Sequence, residues 1–501
     1  MNPRARSAAA SALVGVIAGL ALVTGCTLEP AYVRPAAPVP SDYPSGDAYK
    51  PAIAAPGGLP AADIGWREFF TDRRLQRLVE VALENNRDLR VAMLNVAEAR
   101  AQYRIQRATL YPQIGGAATA TALRVPADES LSGRATVSDI YTVGATASWE
   151  IDLFGRLQSL KNVALDQYLA TAQARKAAQI ALVSQVADQY LAVLALDEQL
   201  DVTRATLDTA RESYRIVELQ FNTGTGSELD VRQSQTIVEE AQANYAQQVR
   251  ARAQAQNALV QLIGTALPAD LPASTRLGDQ QIVTDIPPGL PSDLLTRRPD
   301  IIEAEDALRA QNANIGAARA AFFPRIDLTG ELGTSSARLG GLFQPGSLAW
   351  TFAPSITVPI FNAGSNQANL DLATLQKNVA IAQYEKAIQA AFREVADGLA
   401  ARGTYDEQVA ALQRLTQTQQ RRLELANLRY KGGVSSYLDV LVAQTDLYVA
   451  QLALVTTRLQ RLTNLVDLYQ FLGGGWLEHT GDLPPPADAE TTVGASRPTA
   501  N

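Results

Sequence analysis

Residues 143–153, VGATASWEIDL, put Val143, Ala145, Ala147, Trp149, Ile151 and Leu153 on one side of an extended chain, with Gly144, Thr146, Ser148, Glu150 and Asp152 on the other. Side chains alternate across a strand with period two, so this run carries one apolar and one wet face. Residues 350–360, WTFAPSITVPI, do much the same with Trp350, Phe352, Pro354, Ile356, Val358 and Ile360. Ten or so residues of such alternation suit a strand of an outer-membrane barrel. An ordinary half-buried sheet carries the same pattern.

Both stretches belong to a unit that occurs twice. Residues 88–114 align without a gap with 300–326, seven of 27 positions being identical, and 218–231 align with 427–440, six of 14 being identical. Each copy reads as a helix, two strands, a very long helix, a Gly-containing turn and a returning helix. The spans are 75–110, 113–124, 141–153, 156–223 and 228–263, then 292–321, 325–336, 348–361, 365–431 and 436–471. Between Arg156 and Thr223 there is neither proline nor glycine, which leaves room for a helix of roughly 100 Å at about 1.5 Å per residue. A duplicated unit of this kind builds a pseudo-symmetric wall rather than a pocket.

The returning helix of the second copy carries Leu438, Leu441, Thr445, Tyr448, Leu452, Val455, Leu459, Leu462, Val466 and Tyr469 at 3/4 spacing, a heptad seam. Taken alone, these helices would describe a soluble coiled-coil rod; the strands argue otherwise. Four strands cannot close a barrel, and open edges in lipid leave backbone groups unpaired at several kcal/mol each. The barrel must therefore be shared. Two chains give eight strands and a filled interior, whereas three give twelve and a lumen, so a conduit needs at least a trimer. Aromatic residues stand at the four expected helix–strand junctions, Tyr111, Phe154, Phe323 and Phe361, where a membrane–water boundary favours them.

The front end agrees with an envelope location. Arg4 and Arg6 precede an apolar run from Ala8 to Val23 that is shorter than a spanning helix, and Thr24-Gly25-Cys26 follows. Leu22–Cys26 resembles a bacterial lipobox, with Cys26 as the acylated first residue of the mature chain. As the only cysteine, Cys26 leaves no intrachain disulfide possible. No later segment reads as a spanning helix, so a membrane-crossing chain would cross with strands.

The net charge of −7 falls to −9 once Arg4 and Arg6 leave with the signal, which argues against a nucleic-acid partner. The lone His479 reads as a solvated surface residue. Without a nucleophile elbow or a phosphate-binding loop, the chain offers no catalytic, cofactor or metal site. The expected organisation is a signal peptide (1–25), an extended lipid-anchored tether (26–65), repeat 1 (66–264), a connector (265–291), repeat 2 (292–474) and a mostly disordered tail (475–501).

Leu294–Ile301 (LLTRRPDI), 312–326 (NANIGAARAAFFPRI), 353–364 (APSITVPIFNAG) and 430–440 (YKGGVSSYLDV) make the chain resemble the outer-membrane factors of tripartite efflux pumps, the TolC-like proteins, within them the NodT-type lipoprotein branch. The resemblance runs from about Trp66 to Trp476. It implies a homotrimer: a twelve-stranded outer-membrane barrel continued by a twelve-helix periplasmic tunnel, each chain giving four strands and two helical hairpins. The hairpin tips, Gly224, Gly226 and Ser227 and Gly432, Gly433 and Ser436, would face a periplasmic adaptor, and an inner-membrane transporter would drive export. Relatives close the tip with an apolar Leu followed one turn later by an Asp. Leu438 fits the first place, but Val442 occupies the second, leaving Asp439 or Asp446 as candidate acids. The implied function is a passive exit duct for small molecules. A non-conducting lipoprotein scaffold, or a duct for metal or protein export, are the alternatives.

Overall fold

The computed structural model describes residues 27–50, 59–130, 133–283 and 286–482. Signal residues 1–25, Cys26 and the tail from 483 lie outside that range. Helix α1 (Arg73–Asn85) begins where the Asp72 carboxylate accepts hydrogen bonds from the Arg74 and Leu75 amides at 2.7 and 3.3 Å. The expected single helix over 75–110 is instead two, because Asn86 is extended and caps α2 (Arg87–Ala108) by accepting from the Leu89 amide at 2.8 Å. Its other amide atom donates to the Leu262 carbonyl at 2.8 Å, and its backbone amide closes α1 on the Ala82 carbonyl at 2.8 Å, so one residue serves three helix ends.

Strands β1 (Gln113–Val125) and β2 (Thr136–Ile151) follow, then helix α3 (Arg156–Asn222) and returning helix α4 (Glu228–Ile263). The second copy is α5 (Pro291–Arg297), α6 (Pro299–Ala320), β3 (Arg325–Ser336), β4 (Leu348–Thr357), α7 (Ser365–Lys431) and α8 (Tyr437–Phe471). Helices α3 and α7 are both 67 residues long, although only α3 is free of glycine. The expected helix over 292–321 breaks at Arg298, which Pro299 forces into extended geometry. Strand β4 stops at Thr357, ahead of Pro359, whose missing N–H cannot continue a ladder; Phe361 therefore lies beyond the strand.

Two compact units divide the chain. The first contains the described part of Met1–Ala36, Asn95–Thr171 and Ala304–Tyr384. Its sheet runs β1-β2-β3-β4, antiparallel throughout. Register places Ile114, Ala147, Ile326, Leu328, Leu332, Trp350, Phe352 and Ile356 on one face. Gln113, Thr142, Thr146, Ser148, Glu150, Asp327, Thr329, Glu331 and Thr351 occupy the other. On the apolar face Ile114 is 79% and Trp350 72% exposed.

Residues 27–50 of the segment expected to be a tether run without helix, but they are docked. Thr27 Oγ1 lies 3.5 Å from Ser159 Oγ, the Asn162 amide donates to Glu29 at 3.1 Å, and Asn312 donates to the Pro30 carbonyl at 2.7 Å. Arg34 forms a two-pronged pair with Glu305 at 2.9 and 2.7 Å, and Tyr32 and Arg309 donate to the same carboxylate. A side chain at Gly316 would strike the Glu29 backbone, so this helix glycine opens the path of the strap.

The second unit holds Ala37–Leu94, Ala172–Glu303 and the described residues from Glu385 onward. There Tyr43 stacks on Phe392 at 5.5 Å, a Cβ on Gly403 would collide with the Ala48 carbonyl, and Lys50 pairs with Glu407 at 2.7 Å. The expected tail begins too early at 475: Trp476 and Leu477 are buried beside Ile180, and the Trp66 amide donates to the Leu477 carbonyl at 2.9 Å. His479 is exposed, as read from sequence, and contacts Glu68 at 3.0 Å.

Helix α8 buries more than the expected seam. Leu441, Val455, Leu462, Val466 and Tyr469 are buried, but so is a neighbouring row of Val440, Ala443, Leu447, Ala450, Leu454 and Leu468, while Leu438 and Thr445 are exposed. A helix packed on two sides needs a wider apolar face than a two-strand seam. This width also corrects the reading that no later helix is apolar enough to span: α3 and α8 each contain such a stretch by composition, and 61% of the one in α3 is buried within the chain.

Candidate functional site

The sheet and the hairpin tips carry the candidate residues. At the helix end of the sheet, Phe154 and Phe323 stack at 4.7 Å with 22° between their rings. Tyr111 and Phe361 are exposed, Phe361 at 89%, and make no ring contact with the other two. Trp149 joins this level, its ring nitrogen donating to the Leu110 carbonyl at 3.1 Å. Periodicity put Trp149 on the apolar face but gave no sign of that bond. On the polar face at the same end, Glu150 pairs with Arg156 at 2.7 Å and Arg325 at 3.1 Å, and Arg325 with Asp327 at 3.0 Å.

At the first tip Gly224 is left-handed (φ 77°), and the Thr225 and Gly226 amides donate to the Gln220 carbonyl at 2.9 and 3.0 Å. Ser227 Oγ caps α4, accepting from the Leu229 amide at 3.1 Å. At the second tip Gly433, the repeat-mate of Gly224, is left-handed (φ 69°), and the Val434 amide donates to the Arg429 carbonyl at 2.9 Å. Ser436 occupies the same capping position as Ser227 without using its side chain. Gly432 and Gly226 are not in the left-handed region; Gly226 is small because a Cβ there would meet the Phe221 backbone. A left-handed residue ends a helix cheaply when it is glycine, which explains why this position survives in both copies.

The two tips are fastened together. Tyr430 donates to the Gln220 side chain at 2.7 Å, the Tyr430 and Tyr437 rings lie 5.2 Å apart, and Tyr437 packs with Val217, Val231, Val440 and Leu441. Beside them is a groove of about 780 Å³ whose lining includes Arg421, Arg422, Arg429, Leu438, Asp439 and Val442. Leu438 is 50% exposed. Asp439 is exposed with no side-chain partner among the described residues, whereas Asp446 is paired with Arg422. Arg421 pairs with Glu424 at 2.8 Å. The three arginines thus balance Asp439, Asp446 and Glu424, a compensation that sequence reading of the acids alone missed.

Arg298, from the RRPDI string, is a buried hub. It pairs with Asp300 at 2.6 Å and Glu394 at 2.8 Å and donates to the Phe471 carbonyl at 3.1 Å. Those bonds join the start of α6, the middle of α7 and the end of α8, which gives the motif a structural task. Among the described residues no group of three His, Cys, Asp or Glu side chains could hold a metal ion.

The family model described as outer membrane efflux protein matches residues 78–265 and 290–474, and the chain belongs to that family. It is 48% identical over 475 residues to the probable efflux pump outer membrane protein TtgC of Pseudomonas putida, covering 94% of this chain and 97% of that one. It is 49% identical over 462 residues to the solvent efflux pump outer membrane protein SrpC of the same species, covering 91% and 97%. Among solved structures, the open state of the Neisseria gonorrhoeae MtrE outer membrane channel superposes with a TM-score of 0.81 at 41% identity, over 91% of this chain and all of that one. A membrane protein from Pseudomonas aeruginosa gives 0.82 at 43% identity, over 89% of this chain. The protein is an outer-membrane efflux component with the fold of the outer-membrane channels, and its relatives are channel proteins rather than enzymes.

Proposed function

We propose that the chain is the exit duct of a tripartite efflux system, conducting small molecules passively through a homotrimer without chemistry of its own. The observation that carries this reading is a sheet with one broad exposed apolar face, one polar face, and the outer edges of β1 and β4 unpaired. Three copies joined edge to edge would satisfy both edges, turn the apolar face to lipid and enclose a wet lumen. The helical hairpins would continue that lumen into the periplasm. The tips, with Gly224, Gly226, Ser227, Gly432, Gly433 and Ser436, would meet a periplasmic adaptor whose inner-membrane transporter drives export, and Leu438 with Asp439 would narrow the entrance.

Acylation of Cys26 fits the same reading. Thr27, the next residue, lies 3.5 Å from Ser159 in the first turn of α3. An acyl group at the head of this strap would add to the hold that the sheet gives. For cargo we propose small organic molecules, because relatives at 48–49% identity are named for efflux of antibiotics, toluene and solvents.

The test is capture in living cells with a photo-crosslinking residue at Ser436. Recovery of a periplasmic adaptor is the expected result, and that adaptor's transporter would name the cargo class. A folded, abundant protein that captures no adaptor would turn the reading toward a non-conducting scaffold.

A further inference from the structure

Register decides which acidic side chains share the polar face of the sheet. Three carboxylates do: Glu150, Asp327 and Glu331. Glu150 and Asp327 are neutralised near the helix end by Arg156 and Arg325. Glu331 lies mid-strand and makes no ion pair or hydrogen bond among the described residues. Its cross-strand partners are Thr146 and Thr351, both uncharged. Asp327, the nearest charge along its own strand, is four residues or about 13 Å away.

The rows on either side hold no charge that could neutralise this half-buried carboxylate. The next polar-face row toward the far end of the sheet is Gly144, Gly333 and Ala349. A Cβ on Gly333 would strike the Val143 carbonyl, and one on Gly144 the Leu332 carbonyl, so larger residues cannot stand there without displacing a strand. Behind Glu331 are Ser148, Thr329 and Ala353. The other face of the same strand carries Leu328 and Leu332, which cannot face a lumen while Glu331 faces lipid without burying an unpaired charge in hydrocarbon.

We infer that Glu331, repeated by threefold symmetry, forms a ring of uncompensated negative charge inside the barrel and sets a cation preference there. This rests on the trimeric duct reading. The charge balance of the tip groove makes the barrel the stronger candidate for selectivity than the entrance. A fixed charge in a water-filled pore acts over the Debye length, about 30 Å at ~0.01 M salt and about 3 Å at ~1 M. The ring should therefore govern ions at low salt and fade at high salt.

The experiment is the potassium-to-chloride permeability ratio of the full chain in planar bilayers, from reversal potentials in a KCl gradient. At ~0.01 M salt Glu331→Gln is expected to lower the ratio about two-fold, with no change at ~1 M. Glu331→Asp should keep the parent ratio, and Thr351→Glu, which adds a carboxylate directly across from Glu331, should raise it. A conducting parent whose ratio is moved by neither Glu331→Gln nor Thr351→Glu would overturn the inference and leave the duct standing. A parent that inserts as a trimer and never conducts would remove the duct reading itself, and the ring with it.

Discussion

Single residues in this chain divide into those set by backbone geometry and those set by charge, and they respond to substitution differently. Gly433 is left-handed in open space, so Gly433→Ala meets no neighbour and costs only the left-handed penalty, about 1 kcal/mol in urea unfolding. Asp188 is a charge case. Burial, with Asp467 nearby, pushes its carboxyl up to about 8 from 3.8. The folded chain therefore binds a proton that the unfolded chain releases, and stability falls as pH rises from about 4 through about 8. Asp188→Asn is expected to remove that slope, its melting temperature matching the parent near the lower value and exceeding it near the upper. Parallel melting curves for the two proteins across that range would mean that Asp188 does not carry the titration. At the tip, Asp439→Ala removes one of the three carboxylates that offset the three arginines, so pores of this variant should shift toward anions; unchanged conductance and selectivity would take Asp439 out of the gate.

At the scale of elements, the N-terminal strap behaves as a bound peptide with a built site. Glu305 is 3% exposed at its side chain. Burial alone would raise its pKa, yet the Arg34 hydrogen bonds and the Arg309 charge hold it below the usual carboxylate range. Removing one partner of a buried pair costs about 3–5 kcal/mol, so Glu305→Gln should free residues 27–36. Chymotrypsin would then cut after Tyr32 many times faster than in the parent, and an unchanged cleavage rate would exclude Glu305 as the latch. This docking was not legible in the sequence, because Pro- and Ala-rich residues without periodicity describe a bound strap and a loose tether equally well. What was legible has a local cause. The absence of Pro and Gly over 156–222 and the alternation over 143–151 act through backbone and face; the helix formed where expected, and the strand runs Thr136–Ile151 rather than 141–153. The breaks at Asn86 and Arg298 lay within the sequence too, as an Asn cap and an X-Pro step, but periodicity across them outweighed those signals. Side-chain pairing at the tip was the least legible, since Arg422 and Asp446 are 24 residues apart and meet only when the hairpin closes.

For the whole molecule the question is what holds it in the membrane, the acyl group or the sheet. The diacylglycerol and N-acyl chain of a processed lipobox cysteine would hold a soluble body by themselves, since two chains already make a stable anchor. The apolar face also offers Ile114, Leu332, Leu348, Trp350, Phe352 and Ile356 from each chain, all largely exposed in a single protomer. Closed into twelve strands, that face would satisfy every edge and resist extraction, because withdrawal would expose a continuous apolar belt to water. Cys26→Ser protein is therefore expected to reach the outer membrane in reduced yield, since lipoprotein sorting is lost, while the molecules that arrive resist alkaline carbonate as the parent does. The opposite result, with the variant soluble in the periplasm or washed off by carbonate, would make the lipid the anchor and the sheet an ordinary half-buried one. A combined variant separates the two contributions: charge placed on the lipid side by Phe352→Lys should weaken membrane retention far more without the acyl group than with it. Equal loss in both backgrounds would mean that the acyl chain adds nothing once the barrel has closed.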